Sequence, residues 1–122
     1  MMTRSTKIAP PHSLILILDP SGGTIPNTMS GALVASTDSC IAVGCRSDID
    51  GETEFTLGNV SEVDPGARPV FWGRLKTPNC KVALQTVTGL AILETSVAQQ
   101  QTTVRVWTND ASEPDQIIVG IE

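Results

Sequence analysis

Residues 52–57 alternate Glu52, Glu54 and Thr56 with Thr53, Phe55 and Leu57. This period of two recurs along the chain in short runs cut by Gly, Pro, Asn or Asp, so a sheet with one face in a core is the structure it can form. Helical periodicity is nearly missing. The run 14–18, Leu-Ile-Leu-Ile-Leu, is apolar throughout and stops at Asp19, Pro20, Ser21, Gly22 and Gly23, which predicts a strand buried on both faces. Residues 40–45 put Ile41, Val43 and Cys45 on one side. With 52–57 across Asp48, Ile49, Asp50 and Gly51, they read as a hairpin. Five further runs follow, at 70–76, 81–87, 90–96, 103–108 and 116–121, separated by turn signals such as Pro78-Asn79, Thr88-Gly89 and Asn109 to Pro114.

Eight short strands without amphipathic helices predict an all-β fold, an antiparallel β-sandwich of about eight strands with at most one short helix. The best place for that helix is between Thr24 and Ser36, where Met29 and Leu33 are spaced i, i+4, although Pro26 and Gly31 limit it to one or two turns. Residues 58–69, with Asn59, Asp64, Pro65 and Gly66, predict a surface connection. Residues 1–12 read as a flexible lead-in, and 13–122 as a single β-sandwich domain, within what one core can support. Strand order and oligomeric state stay open.

Charge narrows function. The chain has 8 Lys and Arg against 13 Asp and Glu, a formal net charge of −5, which repels a phosphate backbone, so no direct nucleic-acid binding is expected. No run reaches membrane-spanning length, and the apolar run after the lead-in is too short for a signal peptide. Cys40, Cys45 and Cys80 are odd in number and lack a CxxC pair. Five steps of strand would hold Cys40 and Cys45 roughly 16 Å apart, beyond disulfide reach. Reduced thiols and a cytoplasmic location follow as expectations.

Catalytic constellations are hard to assemble. His12 is the sole histidine and has no evident Asp to orient it; Cys45 keeps phase with Ile41 and Val43 and reads as core; Cys80 beside Lys81 is less settled. Gly22-Gly23 lacks the Gly-Lys-Ser/Thr that ends a phosphate loop. No catalytic residue, metal or cofactor is expected. Two acidic segments stand out: Asp48, Asp50, Glu52 and Glu54 in the expected hairpin, and Asp110, Glu113 and Asp115 around Pro114. The first lacks the oxygen-ligand spacing of a twelve-residue calcium loop, having Arg46 and Leu57 where ligands should be. Together they could form an acidic face for a basic protein, or simply be solvated turns. Trp107 shares a strand face with Arg105, and is either a partner anchor or the cover of a second face.

The stretches SGALVASTDSCIAVGCRSDIDGETEFTLG, FWGRLKTPNCKVALQTVTGLAILE and TTVRVWTNDASEPDQIIVGI, in that order, resemble the competence protein J family of small nuclease inhibitors. The resemblance runs from about Met29 to the C-terminus and rests on strand patterns, none of them catalytic. It implies a non-enzymatic acidic protein that restrains a nuclease. The sequence therefore supports a protein-binding module with a basic partner, with Asp48, Asp50, Glu52, Glu54, Asp110, Glu113, Asp115 and Trp107 as its contact residues. A structural or self-assembling β-domain is the alternative, and an enzyme ranks last.

Overall fold

The computed structural model describes residues 3–122 and contains ten strands: β1 (Arg4–Ile8), β2 (Leu14–Leu18), β3 (Val34–Ser36), β4 (Cys40–Gly44), β5 (Thr53–Asn59), β6 (Phe71–Lys76), β7 (Lys81–Thr86), β8 (Ala91–Ser96), β9 (Gln101–Thr108) and β10 (Gln116–Ile121). One four-residue helix, α1 (Val60–Val63), follows β5. The strands form two five-stranded sheets, ordered β1-β5-β10-β9-β6 and β3-β4-β2-β7-β8. They close on one core as a β-sandwich. Ile15, Ile17, Ile41, Val43, Val82 and Leu84 come from the second sheet; Phe55, Leu57, Leu75, Val104, Val106, Ile117 and Val119 come from the first. Each fully buried aliphatic side chain of this kind contributes about 1.5–3 kcal/mol.

The five apolar residues of β2 occupy the centre of the second sheet, where a strand with two buried faces belongs. Ile15 and Ile17 face the shared core. Leu16 and Leu18 face outward with Cys40 and Ala42, and Met29 and Val87 pack over them. The segment carrying Met29 is not helical. Ser30 and Gly31 both have positive φ, and Ala32 N–H donates to the Met29 carbonyl at 2.8 Å, so a turn replaces the expected helix.

Strand pairing departs from expectation at three points. Strands β4 and β5 are not a hairpin, because β4 pairs with β2 and β3 while β5 pairs with β1 and β10. Two runs with one apolar face each satisfy that pattern equally well across a sandwich as side by side. The change of sheet is abrupt: Cys45 N–H bonds the Ser13 carbonyl and Arg46 N–H bonds the Pro114 carbonyl, each at 2.9 Å. The expected flexible lead-in instead contains β1, which pairs antiparallel with β5 from Arg4↔Leu57 to Ile8↔Thr53; residues 1 and 2 lie outside the described residues. Backbone pairing at a sheet edge needs little apolar signature, and in β1 only Ile8 packs on the core. The sandwich is also not wholly antiparallel, since β10 runs parallel to β5.

The connection 58–69 lies on the outer face of the first sheet. Gly120 lets α1 approach there, since a Cβ at that position would stand 2.9 Å from both Val60 Cγ2 and Trp107 Cζ3. Gly120→Ala should therefore lower stability by about 1–3 kcal/mol in chemical denaturation, with the near-ultraviolet signal of Trp107 perturbed. At the end of β2, buried Asp19 accepts from Ser21 N–H at 2.9 Å, Asn79 N–H at 2.8 Å and Lys81 N–H at 3.4 Å, tying β2 to the turn before β7. Burial pushes its pKa up, but the hydrogen bonds from Ser21, Asn79 and Lys81 together outweigh it and leave the pKa below the ordinary value. The charged form is thus favoured by folding, so its contribution is present above the ordinary aspartate pKa and lost as pH falls through the lowered one. Asp19→Asn should cost about 2 kcal/mol at neutral pH, a gap that closes in acid-titrated melting curves below about pH 4.

Candidate functional site: an acidic end of the sandwich

Strands β5 and β10 run parallel with Glu54 opposite Gln116, so the loops that enter them meet at one end of the sheet. Glu54 N–H donates to the Asp115 carbonyl at 2.8 Å. Glu52, Glu54 and Asp115, one of them from the far end of the sequence, line an open polar depression of about 240 Å³ with Lys7 and Gln116. The structure thus joins the two acidic segments that the sequence holds apart.

Arg46 is the link between them. Its Nη1 lies 3.3 Å from Asp115 Oδ2, and its guanidinium lies over Gly51, where a Cβ would stand 2.9 Å from Nη2. Asn109 holds the other side of Asp115, its Nδ2 donating to Oδ1 at 2.6 Å, while its own Oδ1 accepts from the N–H groups of Asp115 and Gln116 at 3.1 Å. The charge of Asp115 is accordingly committed. Among the described residues the carboxylates of Asp48, Asp50, Glu52, Glu54 and Glu113 have neither a hydrogen bond nor an ion pair, and remain free for a partner.

Asp48–Asp50 form a single 3-10 turn, with the Ser47 hydroxyl accepting from Ile49 N–H. Between the two carboxylates, Ile49 is 92% exposed. An aliphatic side chain so presented among charges is a potential anchor that the alternating pattern did not single out, because it belongs to a turn and to neither strand face. Asp110 serves its own loop: its carboxylate accepts from Glu113 N–H at 2.8 Å, Ser112 N–H at 3.0 Å and Ser112 Oγ at 3.1 Å, and those bonds hold its pKa below the ordinary value. It shapes the loop that carries Glu113.

Trp107 is not available as a partner anchor. It is only 3% exposed, lying beneath the 58–69 connection with its indole N–H on the Ala67 carbonyl at 2.9 Å. The exposed aromatic is Trp72 on β6. Exposed His12 lies in the 3-10 turn Pro11–Ser13, beside the Asp48–Asp50 turn, and its imidazole makes no hydrogen bond among the described residues. Burial pushes the Cys40 thiol up to about 11 and the Cys45 thiol to about 12, the behaviour of small core residues and not of nucleophiles. Among the described residues no three His, Cys, Asp or Glu side chains gather closely enough to hold a metal ion, and no helix is long and apolar enough to cross a membrane.

No family model and no curated protein matches this chain. Among solved structures, ComJ from Bacillus subtilis, an inhibitor of the DNA degrading activity of NucA, is similar with a TM-score of 0.69 and 10% identity, covering 99% of this chain and 98% of its own. Crocagin biosynthetic gene J is similar with a TM-score of 0.50 and 12% identity, covering 99% and 97%. The resemblance read from the sequence thus holds at the level of the fold, over the whole length of both chains. Because Arg46 and Asp115 are partly solvated, we expect a coupling of only about 0.5 kcal/mol between Arg46→Gln and Asp115→Asn in a double-mutant cycle of unfolding. A coupling near zero would mean that the backbone bonds alone join the two loops.

Proposed function

We propose that this chain is a non-catalytic protein-binding module whose acidic end engages a basic protein, with a nuclease as the partner class and the cytoplasm as the place of action. The observation that carries the reading is the meeting of two acidic segments around the depression of Glu52, Glu54 and Asp115, with the free carboxylates of Asp48, Asp50 and Glu113 beside it. Carboxylates without partners cost little when free and gain most when a cationic surface approaches, so they steer encounter and select the partner's sign. Ile49 supplies apolar contact in the middle of this field, and Arg46 keeps the two loops in register. The full-length likeness to an inhibitor of a DNA-degrading nuclease supports the choice of partner class.

Trp107 has no place in this surface, and Asp110 and Asp115 act by holding the loop on which Glu113 stands. The expected test is direct. Added in stoichiometric amount to a basic nuclease from the same cells, the protein should suppress plasmid cleavage at low salt. The double variant Glu52→Lys, Glu54→Lys should weaken that suppression by about tenfold or more, and raising the salt should weaken the wild type likewise. Unchanged inhibition by the charge-reversed variant would reject the acidic end as the contact surface.

A further inference from the structure

The basic side chains are as segregated as the acidic ones. Residues 65–109 contain Arg68, Arg74, Lys76, Lys81 and Arg105 but a single carboxylate, Glu94. Three of these cations lie on one surface. Arg74 and Lys76 share the outer face of β6 with Trp72, and the register sets Trp72 opposite Arg105 on β9. Trp72 is 60% exposed, and the Arg105 guanidinium stacks on its ring at 3.7 Å from the centroid. Glu122 holds Arg105 at 2.8 Å, so the stack is fixed before any partner arrives. Arg74 is exposed and has no charged partner among the described residues.

Strand β6 is also the last strand of its sheet, with no neighbouring strand beyond it among the described residues. At one end of that open edge the molecule already shows how an acidic segment fits. Lys76 N–H donates to the Asp38 carbonyl at 2.8 Å, while Lys76 Nζ meets the Asp38 carboxylate at 3.0 Å. One acidic residue thus takes a backbone donor of the edge and a cation of the face at once. By strand alternation the N–H groups of Arg74 and Trp72 point to the same edge as that of Lys76, and their side chains to the same face.

We propose that the β6 edge is a second docking surface, which takes an extended acidic segment of a protein partner as an added strand. The segment continues the Asp38 mode past Lys76: its backbone pairs with Arg74 and Trp72, its carboxylates face Arg74, and its apolar side chains cover the free side of the Trp72 ring. Trp and Arg are the residue types that most often dominate such contacts, and here both are held in place. The site lies on the opposite edge strand of the sheet from the β1 side that contains Lys7, and it calls for a partner of opposite charge to that of the acidic end.

A short extended peptide of Val-Thr-Glu-Thr repeats, which sets Val and Glu two residues apart on one face, is a suitable probe. Because Trp107 is buried and Trp72 exposed, binding should appear as a saturable blue shift of tryptophan emission that weakens with salt. Arg74→Glu, at an exposed position, should weaken binding by about tenfold or more while the melting temperature stays unchanged. Trp72→Ala should abolish the shift and leave the circular dichroism intact. Glu52→Lys with Glu54→Lys should leave binding in place, which separates this surface from the acidic end. The same peptide N-methylated at every residue should not bind, since neither of its edges can then donate to a neighbouring strand. Equal binding by the methylated peptide or by Arg74→Glu overturns the proposal. So does tighter binding of single-stranded oligothymidine, or a concentration-dependent dimer in sedimentation that Trp72→Ala abolishes, because a nucleic acid or a second copy would then be the occupant.

Discussion

The parallel pairing of β5 with β10 determines what one end of this protein is. Two parallel neighbours begin at the same edge of a sheet, and here each begins with an acidic loop, so Glu52, Glu54 and Asp115 must meet. Had β10 run antiparallel to β5, the length of a strand, about 20 Å, would separate the loops. The hydrogen bond from Glu54 to Asp115, the contact of Arg46 with both loops, and the open carboxylates around them all depend on that direction. A parallel neighbour cannot come from a hairpin. It requires a long excursion of chain, which here is everything from α1 to β9.

The interior of the fold was legible and its edges were not. Strand β2 could be read as doubly buried because five consecutive apolar residues leave no solvent face, and β5, β7, β9 and β10 because their alternation places Phe55, Leu84, Val106 and Val119 in one core. Strand β1 carries Arg4, Ser5, Thr6 and Lys7, and its stability comes from backbone bonds to β5 that no side-chain period records. The hairpin expected at Asp48 to Gly51 failed for a related reason. Period two says which face of a strand is buried but not which sheet holds the strand, and Arg46 sits where the chain changes sheets.

The two acidic segments were visible in the sequence, but their union was not. Nothing in the spacing of residues 48–54 and 110–115 announces that they lie at one end, and the roles within them were hidden too. Asp110 and Asp115 spend their acceptor capacity on the loop and on Arg46, whereas Glu52, Glu54 and Glu113 do not. Composition registers all of them as equal charges. Only hydrogen bonding separates a carboxylate that builds a turn from one free to meet a partner.

Trp72 and Trp107 show the same division between pattern and environment. Both lie on the outer face of the first sheet, one strand apart, and alternation assigns them alike. The connection 58–69 decides between them. It lays α1 over Gly120 and ends its turn at Ala67 above the Trp107 indole, so the cover rests on β10 and β9. Residues 68–70 then lead straight down into β6, and a chain that must enter the edge strand cannot also roof it. The exposure of Trp72 is therefore a consequence of topology. What sequence adds is the chemistry of the bare strip, where Asp38 and Glu122 pair with Lys76 and Arg105 and the Arg74 cation is left over. Charges of this kind keep an open edge soluble, and they also restrict which strands can join it to those of opposite sign.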